Sequence, residues 1–221
     1  MPTDITTGTY TQVYARSLAD PESFWAEQAA RIPWVEAPEK ILEKDQNGVW
    51  RWFSDGVLNS CYVALDQHVV GGRGEQTALI YDSPVTGMVQ HFTYAQLLEK
   101  TATIAGGLAK LGVTKGDVVV IYMPMVPETV AAMLACARIG AIHSVVFGGF
   151  APKELAMRID DANPKVMLAA SCGIEGDRVI AYQPLLNDAI DLAAHKPDHV
   201  VMLQRPQCEA TLAAPRDIDW L

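Results

Sequence analysis

The fold of this chain is decided by the stretch from Tyr122 to Lys165, which reads YMPMVPETVAAMLACARIGAIHSVVFGGFAPKELAMRIDDANPK. An apolar run of valines and isoleucine stands immediately before it and predicts a buried strand. Pro127 suits the first position of a helix, and Gly140 suits the residue that ends one. The pattern then repeats, with Gly148 and Gly149 at the turn. The stretch predicts two strand–turn–helix units, with strands over 117–122 and 142–147 and helices over 127–139 and 152–162.

The alternation of strands and helices extends on both sides of this stretch. Before it, a hairpin precedes a helix that Thr93 and Gln96 open as a capping box and that Gly112 ends. After it, two more strands flank a helix. This order predicts an α/β fold with right-handed crossovers and a mainly parallel sheet flanked by helices. The additional predicted elements are strands over 77–82, 88–92, 166–170 and 200–203, and helices over 93–111 and 184–194.

The composition restricts the class of partner. Half of the residues are hydrophobic and 19% are charged, which is enough to build a core. The 17 basic and 26 acidic residues give a net charge of −9, which disfavours nucleic acid and anionic membranes. The 4 cysteines are widely spaced, and the N-terminus shows no secretory signal. We therefore expect a cytoplasmic protein with no metal site and with neither nucleic acid nor membrane as a partner.

The region from residue 1 to residue 74 differs from the rest of the chain. It holds all of the tryptophans except Trp220, and prolines and loops separate them. Asp20 and Pro21 predict the start of a helix that runs to about Arg31. Gly71–Gly74 lacks the spacing of a phosphate loop, so we interpret it as a turn. We predict an N-terminal extension over 1–74 that packs on a main domain over 75–221.

Two loops that follow neighbouring predicted strands form a candidate binding site, because ligands of open parallel sheets bind at the carboxyl ends of strands. One is Phe147–Gly149, and the other is 171–180, SCGIEGDRVI. Glycines let a ligand approach the backbone, and Arg178, the only cation of the second loop, suits a phosphate. The plain alternatives are a tight glycine turn and a solvated loop in which Arg178 pairs with Asp177 or another acid.

The central stretch resembles the AMP-forming acyl-CoA synthetases, and most closely the acetate– and propionate–CoA ligases. The resemblance is carried by YMPMVPE at 122–128, MLACARIG at 133–140 and IHSVVFGGF at 142–150. RIDD at 158–161 and SCGIE at 171–175 favour the propionate branch. Because the resemblance extends over essentially the whole chain, it implies the first part of the large adenylate-forming domain, preceded by an N-terminal extension.

The resemblance implies that the two loops form part of a coenzyme A site. In the family, the adenine end of CoA rests near the Phe-Gly-Gly turn, and arginines of the later loop meet the nucleotide phosphates. Glu175 departs from the acetate-specific pattern, which has arginine there, and a carboxylate cannot pair with a phosphate. The candidate residues for CoA binding are Phe147, Gly148, Gly149, Glu175, Gly176, Asp177, Arg178 and Ile180.

The resemblance also implies the reaction of the whole enzyme. A short-chain carboxylate and ATP, with Mg²⁺, give an acyl-adenylate and pyrophosphate, and the thiol of CoA then gives acyl-CoA and AMP. The family's Ser/Thr/Gly-rich phosphate loop, which ends in Lys-Gly, and its catalytic lysine have no counterpart in this sequence. We therefore predict that the chain is the N-terminal portion of such a ligase, holds no catalytic residue and is inactive alone.

Two other functions are open at this point. A free-standing CoA- or nucleotide-binding module would require the gene to stop near codon 221, and the Pro-rich ending over 204–221 argues against it. An NAD-dependent dehydrogenase would require G-x-G-x-x-G after its first strand, which the sequence lacks. Half of a sheet would also leave an unpaired strand, through which copies of the chain could form an oligomer.

Overall fold

The computed structural model describes residues 8–220, and the chain divides into two compact units, one up to Asn59 and one from Ser60. The first seven residues, in which the sequence shows no secretory signal, and Leu221 lie outside the described part. The division falls earlier in the chain than the boundary between residues 74 and 75 that the sequence suggests. The extent of each folding domain and the packing of the extension on the main domain stay predictions.

The early division has a physical reason within the second unit. Cys61 and Leu65 are buried in an apolar cluster with Leu97 and Ala131, both of which belong to the main domain. A sequence boundary at residue 74 therefore separates side chains that share one core. The composition of the glycine-rich segment predicts a turn between the two regions, because it shows conformational freedom and no packing partner.

The first unit contains two helices and a short antiparallel hairpin, α1 (Tyr10–Ala19), α2 (Pro21–Ala29), β1 (Leu42–Lys44) and β2 (Trp50–Trp52). Helix α2 begins as predicted, because the Asp20 carboxylate accepts a hydrogen bond from the Ser23 N–H at 3.2 Å and proline occupies the first turn. Helix α1 was not predicted. Its Tyr10, Val13, Tyr14 and Leu18 follow helical spacing, although none of its residues is buried.

The tryptophans of the first unit pack on one another and on neighbouring rings. The ring centroids of Trp25 and Trp52 lie 5.9 Å apart, and those of Trp34 and Phe53 lie 5.7 Å apart. The Trp34 indole N–H donates a hydrogen bond to the carbonyl of Ala29 at 2.8 Å. These rings contact one another in series, although Trp25 and Trp52 remain exposed.

The second unit begins with two π-helical turns, Tyr62–Asp66 and Val69–Arg73, and continues with a hairpin and the α/β alternation. The turn predicted at Gly71–Gly74 is the kinked end of this helical segment, where Gly72 has a φ of +81°. The further elements are β3 (Thr77–Ser83), β4 (Met88–Thr93), α3 (Tyr94–Lys110), β5 (Val118–Met123), α4 (Pro127–Ile139), β6 (Ile142–Phe147), α5 (Pro152–Ala162), β7 (Val166–Ala170), β8 (Cys172–Glu175), β9 (Arg178–Ala181), α6 (Tyr182–Leu192), β10 (His199–Leu203) and β11 (Asp217–Asp219).

Five strands form a parallel sheet in the order β11-β10-β7-β5-β6, which confirms the predicted α/β fold. Strand β5 lies between its two neighbours in space, and Val120 of β5 stands opposite Met167 of β7. Among the described residues, β6 has a strand on one side only. Its side chains Ile142, Val145 and Phe147 are exposed, so this edge of the sheet is both open and apolar.

Helices cover both faces of the sheet, because successive side chains of a strand point to opposite faces. Val119 and Ile121 pack with buried residues of α3 and α4, whereas Val120 and Tyr122 pack with those of α5 and α6. Strand β6 lies on one side of β5 and the next strand, β7, lies on its other side, so the order of the strands reverses at β5. Such a reversal is the position where ligands of open α/β sheets bind.

The segment 171–180, predicted as a loop, is instead the antiparallel hairpin β8–β9 with Gly176 and Asp177 at its tip. Glu175 stands opposite Arg178 in its register, and the tip turns at Gly176, whose φ is +55°. The two strands have only four residues each, which is too short for an alternating pattern to indicate a strand.

Three elements after the hairpin differ from the predictions, and β10 differs only in that it begins at His199 rather than at residue 200. Helix α6 occupies 182–192 rather than 184–194, because Tyr182 and not Pro184 begins it. Strand β11 lies parallel to β10 within the Pro-rich ending, where no strand was predicted. A run of three residues is too short for sequence periodicity to reveal.

Candidate functional site

A cleft of about 500 Å³ lies at the carboxyl ends of β6 and of β5, the strand at which the order of the sheet reverses. Its lining comes from the ends of these two strands and the segments that follow them, from the end of β3 and its turn, from the β8–β9 hairpin, from the start of α6 and from the segment after β10. The lining includes Asp82, Phe147, Gly148, Glu175, Tyr182 and Arg205. The cleft therefore stands at the position that the general rule for open parallel sheets gives for a ligand.

The turn after β6 is held from below by a buried tyrosine of β5. The Tyr122 hydroxyl accepts a hydrogen bond from the Gly149 N–H and donates one to the Phe150 carbonyl, each at 3.2 Å. Gly149 has a φ of +94°, a conformation that side-chain-bearing residues rarely adopt. Phe147, the last residue of β6, is 69% exposed. The turn thus presents bare backbone and one exposed aromatic ring.

Tyr182, the first residue of α6, fills the space beneath both candidate loops. A Cβ atom at Gly148 would lie 2.6 Å from the Tyr182 hydroxyl oxygen, and one at Gly173 would lie 2.0 Å from it. Both positions therefore exclude any side chain while the tyrosine keeps its place. Its ring lies 5.0 Å from that of Tyr122, centroid to centroid. The two glycines of the sequence pattern are required by a packed tyrosine that the pattern does not show.

The structure brings the two predicted loops together. An added Cβ atom at Gly149 would lie 3.7 Å from Oε1 of Glu175, so the hairpin carboxylate stands beside the glycine turn. Phe147, Gly148 and Glu175 all contribute to the lining of the cleft. The role of these residues in binding CoA stays a prediction.

The remaining candidates lie on the hairpin outside the lining of the cleft. Gly176, Asp177 and Arg178 are exposed at or beside its tip. Within residues 8–220, Arg178 forms no ion pair, so the plain alternative in which it pairs with Asp177 is not what the structure shows. Ile180 is partly buried and packs against the core cluster on the α5–α6 face. Their roles in binding also stay predictions.

Sequence reasoning missed Arg205, the only basic residue among the described residues that line the cleft. The Arg205 guanidinium donates a hydrogen bond to the Cys172 carbonyl at 2.9 Å, and the backbone N–H of Arg205 donates one to the Ser171 hydroxyl at 2.8 Å. Two carboxylates, Asp82 and Glu175, share the lining with it. Arg205 follows β10, so the rule that selected the other two loops could also have selected this one.

Cys172 and Tyr182 both have raised pKa values. Burial raises the pKa of the Cys172 thiol, which disfavours the nucleophilic thiolate. Burial, and then the nearby charge of Glu175, raise the pKa of Tyr182. In the part of the chain that the structure describes, no group of three or more His, Cys, Asp or Glu side chains could hold a metal ion. None of the helices described over 8–220 has the length and apolar character of a membrane span.

Comparison with known proteins places both units in one class of enzyme. The family model described as AMP-binding enzyme matches residues 66–218, and that of the acetyl-coenzyme A synthetase N-terminus matches residues 10–64. Human acyl-CoA synthetase short-chain family member 3, mitochondrial, is 50% identical over 96% of this chain and 31% of its own length. The propionate–CoA ligase of Escherichia coli (strain K12) is 43% identical over 96% of this chain and 33% of its own length. The chain therefore spans about a third of the length of these relatives.

A solved structure agrees on the fold. Acetoacetyl-CoA synthetase from Streptomyces lividans matches with a TM-score of 0.83 and 23% sequence identity, over 96% of this chain and 32% of that one. At this identity the match supports the α/β architecture alone. The predicted resemblance to the short-chain acyl-CoA synthetases is confirmed by the sequence matches. Since the first family model covers most of the chain, this protein belongs to the AMP-binding enzyme family.

Proposed function

We propose that the whole protein is an acid–CoA ligase that activates propionate or acetate with ATP as an acyl-adenylate and then transfers the acyl group to CoA. In this proposal the chain supplies part of the CoA site. The observation that carries the proposal is the meeting of the Phe147–Gly149 turn with the Glu175 hairpin beside a cleft at the reversal of the sheet. The names of two relatives, a short-chain acyl-CoA synthetase and a propionate–CoA ligase, support the substrates.

Each part of the turn region offers a different contact to CoA. The exposed ring of Phe147 suits stacking on the adenine base. The bare backbone at Gly148 and Gly149 stands just before α5, where the N–H groups of a helix start favour a phosphate. Arg178, exposed and without an ion pair within residues 8–220, suits the phosphate that lies further out. Glu175 repels phosphate, so we place it at the border of the site.

The adenylation step requires more positive charge than this cleft provides. A triphosphate must be neutralised by several cations, including Mg²⁺. Arg205 is the only basic residue of the described cleft lining, and it stands among the carboxylates of Asp82 and Glu175. We therefore expect the groups that meet ATP to lie elsewhere in the whole protein, and we expect this chain alone to form neither acyl-adenylate nor thioester.

A calorimetric titration of the chain with CoA, dephospho-CoA and ATP tests the binding part of the proposal. We expect CoA to bind more tightly than dephospho-CoA, and Arg178→Ala to weaken CoA binding about tenfold, as the loss of a charge-assisted hydrogen bond does. Arg158→Ala is the matched control, because Arg158 is also exposed but lies on α5 outside the cleft lining. Silence towards all three ligands would contradict a CoA site in this chain.

An assay of pyrophosphate release and acyl-CoA formation tests the catalytic part. We expect both products from the full gene product with propionate or acetate, and neither from the 221-residue chain. Acyl-CoA made by the purified chain would overturn the second expectation. A gene product that binds CoA and makes no acyl-CoA with any short-chain acid would favour the free-standing binding module instead.

The location and assembly of the protein belong to the same proposal. We expect the protein in the cytoplasm, although one relative carries a mitochondrial name, and cell fractionation with an antibody tests this. The open apolar edge at β6 would allow copies to associate. A light-scattering mass that remains that of a monomer at high concentration would count against an oligomer.

A further inference from the structure

We propose that Tyr122 is a positioning residue of the candidate site, which fixes the Phe147–Gly149 turn in the shape that receives the ligand. The inference rests on the proposed CoA site at this turn. The tyrosine belongs to β5 and the turn follows β6, so the contact joins two strands across 27 and 28 residues of sequence. One hydroxyl meets both the Gly149 N–H and the Phe150 carbonyl. The hydroxyl thus bonds to two successive residues of the turn.

A turn that exposes its backbone to a ligand tends to be conformationally mobile. Glycines lose more conformational freedom on folding than other residues, so two successive glycines favour a mobile turn. A side chain on the turn itself would restrict it but would also cover the backbone that the ligand needs. Tyr122 restricts the turn from the buried side, because the tyrosine is 0% exposed and its hydroxyl reaches the turn from within the core. The turn is therefore ordered before the ligand binds, and this favours affinity because binding then costs less conformational entropy.

The state of the hydroxyl suits this double contact. Burial raises the pKa of Tyr122 to about 12, so the group remains neutral and can both donate and accept. Tyr182 supports the other glycine by shape alone, since its ring and hydroxyl occupy the space where a Gly148 side chain would lie. Within residues 8–220, the Tyr182 hydroxyl has no hydrogen bond to the turn. The two tyrosines therefore provide a matched pair for one experiment.

The experiment compares Tyr122→Phe with Tyr182→Phe in amide hydrogen exchange read by NMR and in CoA titration. Each variant keeps its ring and loses one hydroxyl. In Tyr122→Phe we expect the Gly149 amide to exchange about tenfold faster, as a lost hydrogen bond predicts, while the Leu168 amide in the sheet changes little. In Tyr182→Phe we expect the exchange of Gly149 to be unchanged. CoA affinity should fall several-fold in Tyr122→Phe together with the change at Gly149.

The outcomes separate a positioning role from a merely structural one. Equal acceleration at Gly149 and Leu168, or none at Gly149, would overturn the proposal, and so would faster exchange at Gly149 with unchanged CoA affinity. If the unmodified chain binds no CoA, the proposed site fails in this chain, whereas the exchange at Gly149 still decides whether Tyr122 fixes the turn. If Tyr122→Phe does not fold, the exchange rates of the Gly149 and Gly176 amides are compared in the unmodified chain. Slower exchange at Gly149 than at the exposed Gly176 supports the contact, and equal exchange overturns it.

Discussion

Gly173 and Gly106 have opposite reasons for lacking a side chain. A Cβ atom at Gly173 would lie 2.0 Å from the Tyr182 hydroxyl oxygen and 2.5 Å from its ring, whereas one at Gly106, in α3, would meet nothing within 4 Å. We expect Gly173→Ala to lower the free energy of unfolding by about 1–3 kcal/mol through overpacking. We expect Gly106→Ala to raise it by about 0.5–1 kcal/mol through helix propensity. Urea denaturation measures both, and a tolerated Gly173→Ala would mean that Tyr182 can move.

A buried tyrosine hydroxyl and a buried cysteine thiol make the stability of the chain sensitive to high pH. Burial raises the pKa of Tyr122 from 10.0 to about 12 and that of Cys136 from 9.0 to about 12. A group whose pKa is raised on folding stabilises fully below its unfolded pKa, and this contribution is lost as the pH rises towards the folded value. We expect a free energy of unfolding that is constant near neutral pH and then falls by about 1.4 kcal/mol per pH unit for each group, from about pH 9 for Cys136 and from about pH 10 for Tyr122.

Chemical denaturation at a series of pH values measures this decline. Cys136→Ala removes one titrating thiol, so its curve should fall less steeply between about pH 9 and pH 10, where the tyrosine does not yet contribute. Burial also raises the pKa of Cys61 and of Cys172, which act in the same direction, so a decline should remain in the variant. A stability that is flat to pH 11 would contradict the expected effect.

At this scale the sequence predicted the glycines and missed their partners. The Gly-Gly pair and the Arg178 loop were found because small and charged residues follow predicted strands. Tyr122 and Tyr182 were not selected, because a tyrosine in an apolar run resembles any other core residue until its hydroxyl finds a partner across the fold. Arg205 escaped because the chain after its strand was treated as an ending rather than as a third loop at the same edge.

Helix α3 owes its sharp start to a reciprocal cap. The Gln96 N–H donates to the Thr93 hydroxyl at 3.2 Å, and the Thr93 N–H donates to the Gln96 side chain at 2.9 Å. We expect Thr93→Ala to lower the free energy of unfolding by about 1 kcal/mol, because one N–H of the first turn loses its acceptor. Thr103→Ala is the control within the same helix, since its hydroxyl only bonds back to the Glu99 carbonyl. Thermal or urea unfolding that is equal for the two variants would exclude a capping effect.

Elements with marked ends were predicted best. Helix α4 occupies the predicted 127–139, since a proline begins it and Gly140, with a φ of +74°, ends it. Strands β6 and β7 also have their predicted bounds, because apolar runs with turn residues at both ends leave little choice. Strands β8, β9 and β11 have only 4, 4 and 3 residues, and runs of this length carry little local pattern.

The two candidate starts of the main domain make different predictions for the whole molecule. A chain that begins at Ser60 keeps the buried Leu65, and it keeps the Asp66 carboxylate 2.9 Å and 3.0 Å from the Arg138 guanidinium. A chain that begins at Glu75 lacks both. We expect the shorter chain to be less stable by about 3–5 kcal/mol, from the lost apolar burial and the broken part-buried ion pair.

Urea denaturation followed by circular dichroism compares the two chains. The longer one should unfold in a single cooperative transition, and limited proteolysis of the 221-residue chain should then leave a core that begins near residue 60. Equal stabilities would return the boundary to residues 74 and 75. Composition alone could not decide between a domain start at residue 60 and one at residue 75. The positions of glycines and tryptophans do not show which residues of the segment pack into the core.

The central place of β5 in the sheet has a consequence for the order of folding. Both of its strand neighbours, β6 and β7, come later in the chain, and Val119, Val120 and Ile121 of β5 are 0% exposed. Among the described strands, β6 pairs with β5 alone, and β5 joins β6 to the rest of the sheet through β7, so we expect β5 to belong to the folding nucleus. Ile121→Val should therefore slow refolding, whereas Ile190→Val on α6 should mainly speed unfolding, in stopped-flow measurements. Under this scheme the sheet grows outward, and its edge strands β6 and β11 are the last to gain protection from exchange.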